Sequence, residues 1–371
     1  LDQIDSMILS LARRNGIDPE NIYAVSLAAN TTMIHLALGL PPENIASAPF
    51  ISVTTESHAI PARELGLSMA PGGVVQVLPS ISGYVGADIV AAILASGMAD
   101  SDSLCLLIDI GTNGEIVLGD RSRLVSCSTA AGPAFEGAHV RSGVGGIAGA
   151  VNKVSWEGDR FSFTTIADAG PLGICGSGIV DLLALLLRTG IVDETGRMLS
   201  RDEAASAGGV SEWLLDRITE TDGEPAFILV PENESTVGAP IMLSQKDVRE
   251  IQLAKAAIAA GIDTLVKRIG VGLEDITTLY LAGGFGSYIH RESAVAIGLL
   301  PRELLNRVQV IGNAAGKGAL MALLSEDLRS RCEGIRRVTE YIELSSSPEF
   351  QDAYIERMFF PQENTKTDKI F

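Results

Sequence analysis

Cysteine is scarce in this sequence. The four, Cys105, Cys127, Cys175 and Cys332, form no Cys-x-x-Cys pair, and the four histidines, His35, His58, His139 and His290, are as scattered. No spacing is available for a zinc or iron–sulfur centre, and no disulfide framework is written into the chain. Positive charge is short as well. Lys and Arg number 28 against 46 Asp and Glu, a formal charge of −18, and they form no basic cluster. That argues against nucleic acid as a partner. Uncharged apolar runs of about 18 residues, the length that crosses a bilayer, do not occur, so no membrane span is expected. Few cysteines and the lack of a leader-like segment point to the cytoplasm. The opening residue is Leu1 and not Met, which reads as a fragment of a longer protein.

Glycine is abundant. The 39 glycines lie within apolar segments and are not gathered in a linker. Such a distribution serves tight turns and close backbone contacts. Asp2 to Arg14 has helical spacing, with Ile4, Met7, Ile8 and Leu11 on one face. Strand-like runs follow at Tyr23–Asn30, at "VVQVLP" and at Cys105–Ile110, Glu115–Leu118 and Arg123–Thr129. "SQKDVREIQLAKAAIAAGIDTLVKRIG" is the strongest helix, with Ser244 and Asp247 placed to cap it. Residues about 196–240 read as a polar, irregular surface insertion. Strands alternate with helices through most of the length, which favours an α/β class with helices on mixed sheets.

Three features bear on chemistry. The first is "LLIDIGTNGEIVLG", Leu106–Gly119. An Asn-Gly pair between apolar strands signals a plain hairpin. The same residues also meet the needs of a phosphate loop: glycines for close approach, a hydroxyl, and a strand-end carboxylate to orient Mg2+, usually through water. Both readings stand on the motif alone. Asp109 is awkward for the plain one, because a carboxylate at the end of an apolar strand needs a partner or a cation. The second is "LYLAGGFGSYI", a strand ending in Gly283-Gly284, against which a flat ring can lie. Close strand-to-helix packing explains it equally well. The third is a pair of small-residue helices, "GYVGADIVAAIL" and "GNAAGKGALMAL", able to cross closely as at a hinge, or simply packed core helices.

The order of these elements resembles the superfamily of acetate and sugar kinases, heat-shock chaperones and actin. By that resemblance "GYVGADIVAAIL" is the first connecting helix and "DIGTNGE" the second phosphate loop. "LAGGFGSYI" is then the adenosine motif and "GNAAGKGALMAL" the second connecting helix. "STAAGPAFEGA" falls where the chaperones carry a Gly-rich segment ending in an acid, here Glu136. Seven ordered blocks, among them "AANTTMIHLALGL", "CSTAAGPAFEGA", "GICGSGIVDLLALLL" and "QKDVREIQLAKAAI", are similar to the reductive activators of corrinoid proteins, from about Tyr23 to Pro361.

The resemblance implies a two-lobed actin-like ATPase fold of mixed sheets flanked by helices. Residues 1–102 would complete the first lobe and 103–310 form the second. Residues 311–345 would return towards the first, and 346–371 would be a C-terminal tail. It implies ATP and Mg2+ as ligands, with Asp109 at the metal and Asp88 and Glu136 placing metal or water. Gly111, Thr112, Asn113 and Gly114 would meet the phosphates, and Gly283, Gly284, Phe285 and Gly286 the adenosine. It implies ATP-driven one-electron reduction of Co(II) to Co(I) in a corrinoid protein partner, and a homodimer. Two departures qualify it. Nothing in Leu1–Asn30 matches the family's first phosphate hairpin, and no cysteine set matches its iron–sulfur module. The expectation is a C-terminal fragment whose cluster lies in the missing part and whose own nucleotide affinity is weak. A small-molecule kinase of the same fold and a non-catalytic docking module are the alternatives. Among single residues, Cys105 and Cys127 read as core, Cys175 as an inert thiol at a helix start, and His35 as a bonded core or edge histidine. Lys246 and Lys255 read as a solvated helix face.

Overall fold

The computed structural model describes residues 1–286 and 288–362. In chain order the first regular elements are α1 (Asp2–Asn15), β1 (Ala24–Leu27), α2 (Thr31–Ala37), β2 (His58–Pro61), β3 (Val74–Val77), α3 (Ala87–Ser96), β4 (Cys105–Ile110), β5 (Gly114–Gly119) and β6 (Leu124–Thr129). Then come β7 (Ala150–Glu157), β8 (Arg160–Thr165), β9 (Gly173–Ile174), α4 (Gly176–Arg188), α5 (Arg201–Ala207), β10 (Ile218–Thr221), β11 (Glu224–Val230), β12 (Ile241–Ser244) and α6 (Gln245–Ile269). The last are β13 (Thr278–Ala282), α7 (Arg291–Ala296), β14 (Val308–Gly312), α8 (Ala314–Leu324), α9 (Glu326–Val338), β15 (Thr339–Tyr341) and α10 (Pro348–Arg357). A six-stranded sheet has the order β14-β13-β4-β5-β6-β15. Leu106 and Leu107 point to opposite faces of β4 and both are fully buried, so the sheet is covered on both sides there.

Two compact units emerge. The first takes Leu1–Leu107, Val117–Ser128 and Ile311–Glu343. Within it β1, β3 and β2 form a small sheet, β1 parallel and β2 antiparallel to β3. Asn30 starts α2 by accepting the Met33 N–H at 2.8 Å. His35 is buried, its Nδ1 2.8 Å from the Thr31 carbonyl and its Nε2 accepting the Val53 N–H at 3.0 Å. That pattern assigns the proton to Nδ1 and makes His35 a structural histidine. The two small-residue helices, α3 and α8, pack on each other in this unit. A Cβ at Gly318 would stand 1.9 Å from the Ala91 carbonyl oxygen, so only glycine permits the crossing. Every α3 residue from Ile89 to Ile93 is at most 1% exposed.

The second unit takes Ile108–Ile116, Thr129–Val310 and the chain from Leu344 onward. Its β8-β7-β9 sheet carries α4 on one face. A Cβ at Gly178 would lie 2.4 Å from the Val151 carbonyl oxygen, which explains the glycines at the start of α4. The long helix α6 opens with a capping box: Ser244 accepts the Asp247 N–H and the Asp247 side chain reaches back to Ser244. It ends at Gly270, whose φ of 81° is the left-handed cap that glycine favours.

Two expectations are corrected here. Residues 196–240 are only partly irregular. They fold as α5 and the hairpin β10-β11, which continues into β12, and they bury Ala204, Leu214, Phe227 and Leu229. Their exposed turns hide a small core. Lys255 is not on a solvated face; it is 1% exposed, its ammonium held by the Phe359 carbonyl and the Phe360 ring in the segment that follows α10. Cys105, Cys127, Cys175 and Cys332 are all buried and outside any disulfide.

Candidate functional site

β4 is fully buried up to Ile108, and Asp109 is its half-buried residue. The chain then bends through Gly111–Asn113, where the Gly111 N–H donates to the Asn113 carbonyl at 3.0 Å, and β5 begins at Gly114. Neither Asn113 nor Gly114 has a positive φ, whereas the Asn-Gly turn expected from sequence needs both residues left-handed. The hairpin exists, but its tip sits earlier. Gly114 is required for space instead: a Cβ there would be 2.7 Å from both Ile258 Cγ1 and Thr129 Oγ1.

β6 leads into a short helical turn, Pro133–Glu136. Gly137 ends it with a φ of 82°, and a Cβ there would stand 2.5 Å from the Val144 carbonyl oxygen. This fold-back places Glu136 over the hairpin. Its Oε2 accepts the Thr112 hydroxyl at 3.0 Å, and its Oε1 would be 3.7 Å from a Cβ at Gly111. β13 enters from the neighbouring position and ends in the helical turn Gly283–Gly286. Gly283 has a φ of 89°, and a Cβ on it would come within 2.6 Å of Asp109 Oδ1. Phe285 then stacks on Phe135, with ring centres 5.0 Å apart and planes 15° from parallel. A Cβ at Gly176 would be 2.8 Å from the Phe285 ring and 1.9 Å from the Phe135 carbonyl oxygen. The amino end of α4 is thereby packed against both aromatic residues.

These elements enclose a cavity of about 700 Å³. Of the residues singled out from sequence, Asp109, Gly111, Glu136, Gly283, Gly284 and Phe285 line it. Thr112, Asn113, Gly114 and Gly286 do not: Thr112 and Gly114 are engaged as described, and Gly286 is buried against Leu281. Asp88 belongs to the first unit. It stands in the first turn of α3, with Oδ1 accepting the Ile89 N–H at 2.9 Å, and burial holds its carboxyl above the usual range.

Further lining residues carried little signal in the sequence. Gly145 and Gly146 lie in the Gly-rich stretch after Ser142, and a Cβ on Gly145 would meet nothing within 4 Å. Asn152, Thr165 and Ala167 come from the β7–β8 hairpin and its exit. Nothing in a polar hairpin marks such positions. Ala167 and Asp168 have φ values of 60° and 51°, a left-handed backbone that costs non-glycine residues about 1–3 kcal/mol each. Cys175, Gly176 and Ser177 present the amino end of α4 to the cavity, and Tyr288 closes one side. The Cys175 thiol donates to the Val151 carbonyl at 3.3 Å, so it is held by the backbone.

The chemistry of the wall is uneven. Two carboxylates, Asp109 and Glu136, line the cavity together with glycine backbone and the amino end of a 13-residue helix. Helix amino ends favour anions, and the carboxylates favour a hard cation beside them. No group of three metal-ligating side chains occurs among the described residues. The donor set therefore suits Mg2+ held through water and ligand oxygens, not a closed protein cage. No helix among the described residues is long and apolar enough to cross a membrane.

Comparison with known proteins identifies the family and the fold. The model for the C-terminal domain of RACo, the ASKHA domain, matches residues 103–370, and the model for the RACo middle region matches residues 1–101. The corrinoid activation enzyme RamQ of Eubacterium limosum is 35% identical over 360 residues, 97% of this chain and 60% of RamQ. The [Co(II) methylated amine-specific corrinoid protein] reductase of Methanosarcina barkeri is 24% identical over 82% of this chain and 55% of its own length. A solved structure of a reductive activator for corrinoid, iron-sulfur protein superposes with a TM-score of 0.87 at 38% identity, over 96% of this chain and 56% of that one. The chain thus spans little more than half the length of the relatives it matches. It belongs to the RACo family of reductive activators of corrinoid proteins and carries that family's ASKHA, actin-like ATPase fold.

Proposed function

We propose that this chain is the ATP-hydrolysing part of a reductive activator. In that reading ATP turnover drives the reduction of Co(II) to Co(I) in a corrinoid protein partner. The electron comes from an iron–sulfur module that no cysteine set in this chain could hold. The observation that carries the reading is the Asp109 carboxylate at the end of β4, facing the same cavity as Gly111, Glu136 and Gly283. A bound Mg2+ would neutralise phosphate charge there. Asp109 would orient its water shell, and Glu136 is close enough to the hairpin to hold an attacking water. The amino end of α4 and the Gly145-Gly146 backbone would donate to phosphate oxygens, while Gly284 and Phe285 border the adenosine. The nucleotide state would bias a two-state element that couples hydrolysis to partner binding or release, in a homodimer working in the cytoplasm.

Asp109→Asn keeps the shape of the side chain and removes its charge. ATP turnover by the complete protein should fall at least about 100-fold, the scale on which a lost electrostatic contact to reacting phosphate acts. Unchanged turnover would remove Asp109 from the metal site. Loss of ATP turnover with ATP-independent Co(II) reduction intact would separate the hydrolytic role from the redox role.

A further inference from the structure

The second unit holds another cavity, about 550 Å³, which shares no lining residue with the one beside Asp109. Its walls come from three elements: β7 with Lys153 and Trp156, α4 with Asp181 and Arg188, and the start of α7 with His290 and Glu292. Asp181 is 1% exposed. Its Oδ2 accepts the Val154 N–H at 3.1 Å and lies 2.7 Å from His290 Nδ1, while its Oδ1 is buried without a hydrogen-bond partner. A carboxylate so far from water needs a positive neighbour, and His290 is the one bonded to it. That hydrogen bond holds the imidazole pKa above its ordinary value, against the opposing effect of burial. With Nδ1 committed to Asp181, Nε2 is left on a ring that is 38% exposed at the cavity, and it donates when the imidazole is protonated.

Lys153, Arg188 and His290, from three separate elements, reach this cavity in a protein of formal charge −18. One of the two acids there, Asp181, already serves His290. Beside them the Trp156 ring is 39% exposed and held edge-on by Phe161, with ring centres 5.5 Å apart. An indole fixed next to positive charge offers a flat apolar face to the body of a ligand whose head is anionic.

We propose that this cavity binds a small organic anion, with His290 and Lys153 receiving its carboxylate or phosphate oxygens and Trp156 its apolar body. The inference is independent of the nucleotide reading, because none of these residues borders the Asp109 cavity.

Trp156 and Trp213 are the two tryptophans, so in a Trp213→Phe background Trp156 reports alone. Titration of that chain with benzoate and with phenyl phosphate should quench its fluorescence saturably. Saturation by one anion and not the other would name the head group. Lys153→Met and His290→Gln should each weaken binding about tenfold, the scale of one charge-assisted hydrogen bond. Lys153 is exposed, so its variant tests the site even if the histidine variant fails to fold. The pH profile carries a sign. The groups facing His290 are Asp181 from α4, Lys153 from β7 and Glu292 on α7. Because the imidazole pKa is raised, binding should be full at low pH and decline as pH rises through that value. Linear quenching by both anions, or saturable quenching untouched by both substitutions, overturns the proposal.

Discussion

Gly283 and Asp109 are in steric register. A Cβ at residue 283 would stand 2.6 Å from Asp109 Oδ1 and 2.8 Å from the Ile110 carbonyl oxygen. The close approach of the β13 turn to the end of β4 therefore sets the space left for the carboxylate. It also explains why a strand that carries bulky residues at Leu279 and Leu281 stops at a glycine with a φ of 89°.

Gly283→Ala should accordingly act twice. The left-handed backbone and the contact together should lower stability by about 1–3 kcal/mol. Displacement of Asp109 should in addition cut ATP turnover well beyond what the stability loss explains. Denaturant unfolding and ATP hydrolysis by the complete protein measure the two separately. A variant as active as the parent at equal folded fraction would show that the position of Asp109 does not matter.

Phe285 offers a second handle on the same cavity. Its ring lies on Phe135, and Phe135 immediately precedes Glu136. Phe285→Leu keeps apolar volume and removes the stack, which is worth about 0.5–1.5 kcal/mol. A roughly two- to twelvefold rise in the ATP Kd is expected, on the usual conversion of free energy to affinity. Isothermal titration with a non-hydrolysable ATP analogue checks it. An unchanged Kd would take the adenosine away from this ring.

Much of this site could be read before the fold was known, for a physical reason. Asp109, Glu136, Gly283 and Phe285 each sit beside a glycine or at an abrupt end of an apolar run, and such punctuation is local in sequence. Helix α6 was equally legible, since its spacing and its Ser244–Asp247 box lie within the helix itself. What escaped depends on distant chain. Lys255 looks like a solvated cation until Phe359 and Phe360, from the segment after α10, are laid over it. The core beneath residues 196–240 includes Leu214 and Phe227, which come from short apolar runs set apart by polar turns, so no single stretch announces it. The tip of the β4–β5 hairpin was misplaced because Gly114 serves packing against Ile258, a requirement no turn rule contains.

The first unit can be probed at Gly318. Its Cα faces the Ala91 carbonyl oxygen so closely that a methyl group would fall 1.9 Å from it. Since the obstacle is backbone, α8 or α3 must move. Gly318→Ala should destabilise the chain by about 1–3 kcal/mol, the usual scale of overpacking, although alanine is the better helix former by about 1 kcal/mol. Gly334 in α9, where a Cβ would meet nothing within 4 Å, is the control. Gly334→Ala should be neutral or stabilising in the same urea titration. Equal effects at both positions would contradict the crossing.

Lys255 predicts how stability depends on pH. Its ammonium donates to the Phe359 carbonyl at 2.5 Å and lies 4.8 Å from the centre of the Phe360 ring. Burial, with a smaller contribution from the charge of Arg357, pushes its pKa down from 10.5 to about 7. Between those two values the unfolded chain binds a proton that the folded chain does not. Stability contributed by this group therefore rises with pH from about 7 towards 10.5, and below about 7 the full cost of burying the charge is felt. Lys255→Met fills the same space without a titratable group. Urea unfolding at a series of pH values should show a shallower rise over that window in the variant, and the largest relative gain for methionine at the acid end. Parallel curves for the two proteins would mean that Lys255 keeps its proton in the folded state throughout.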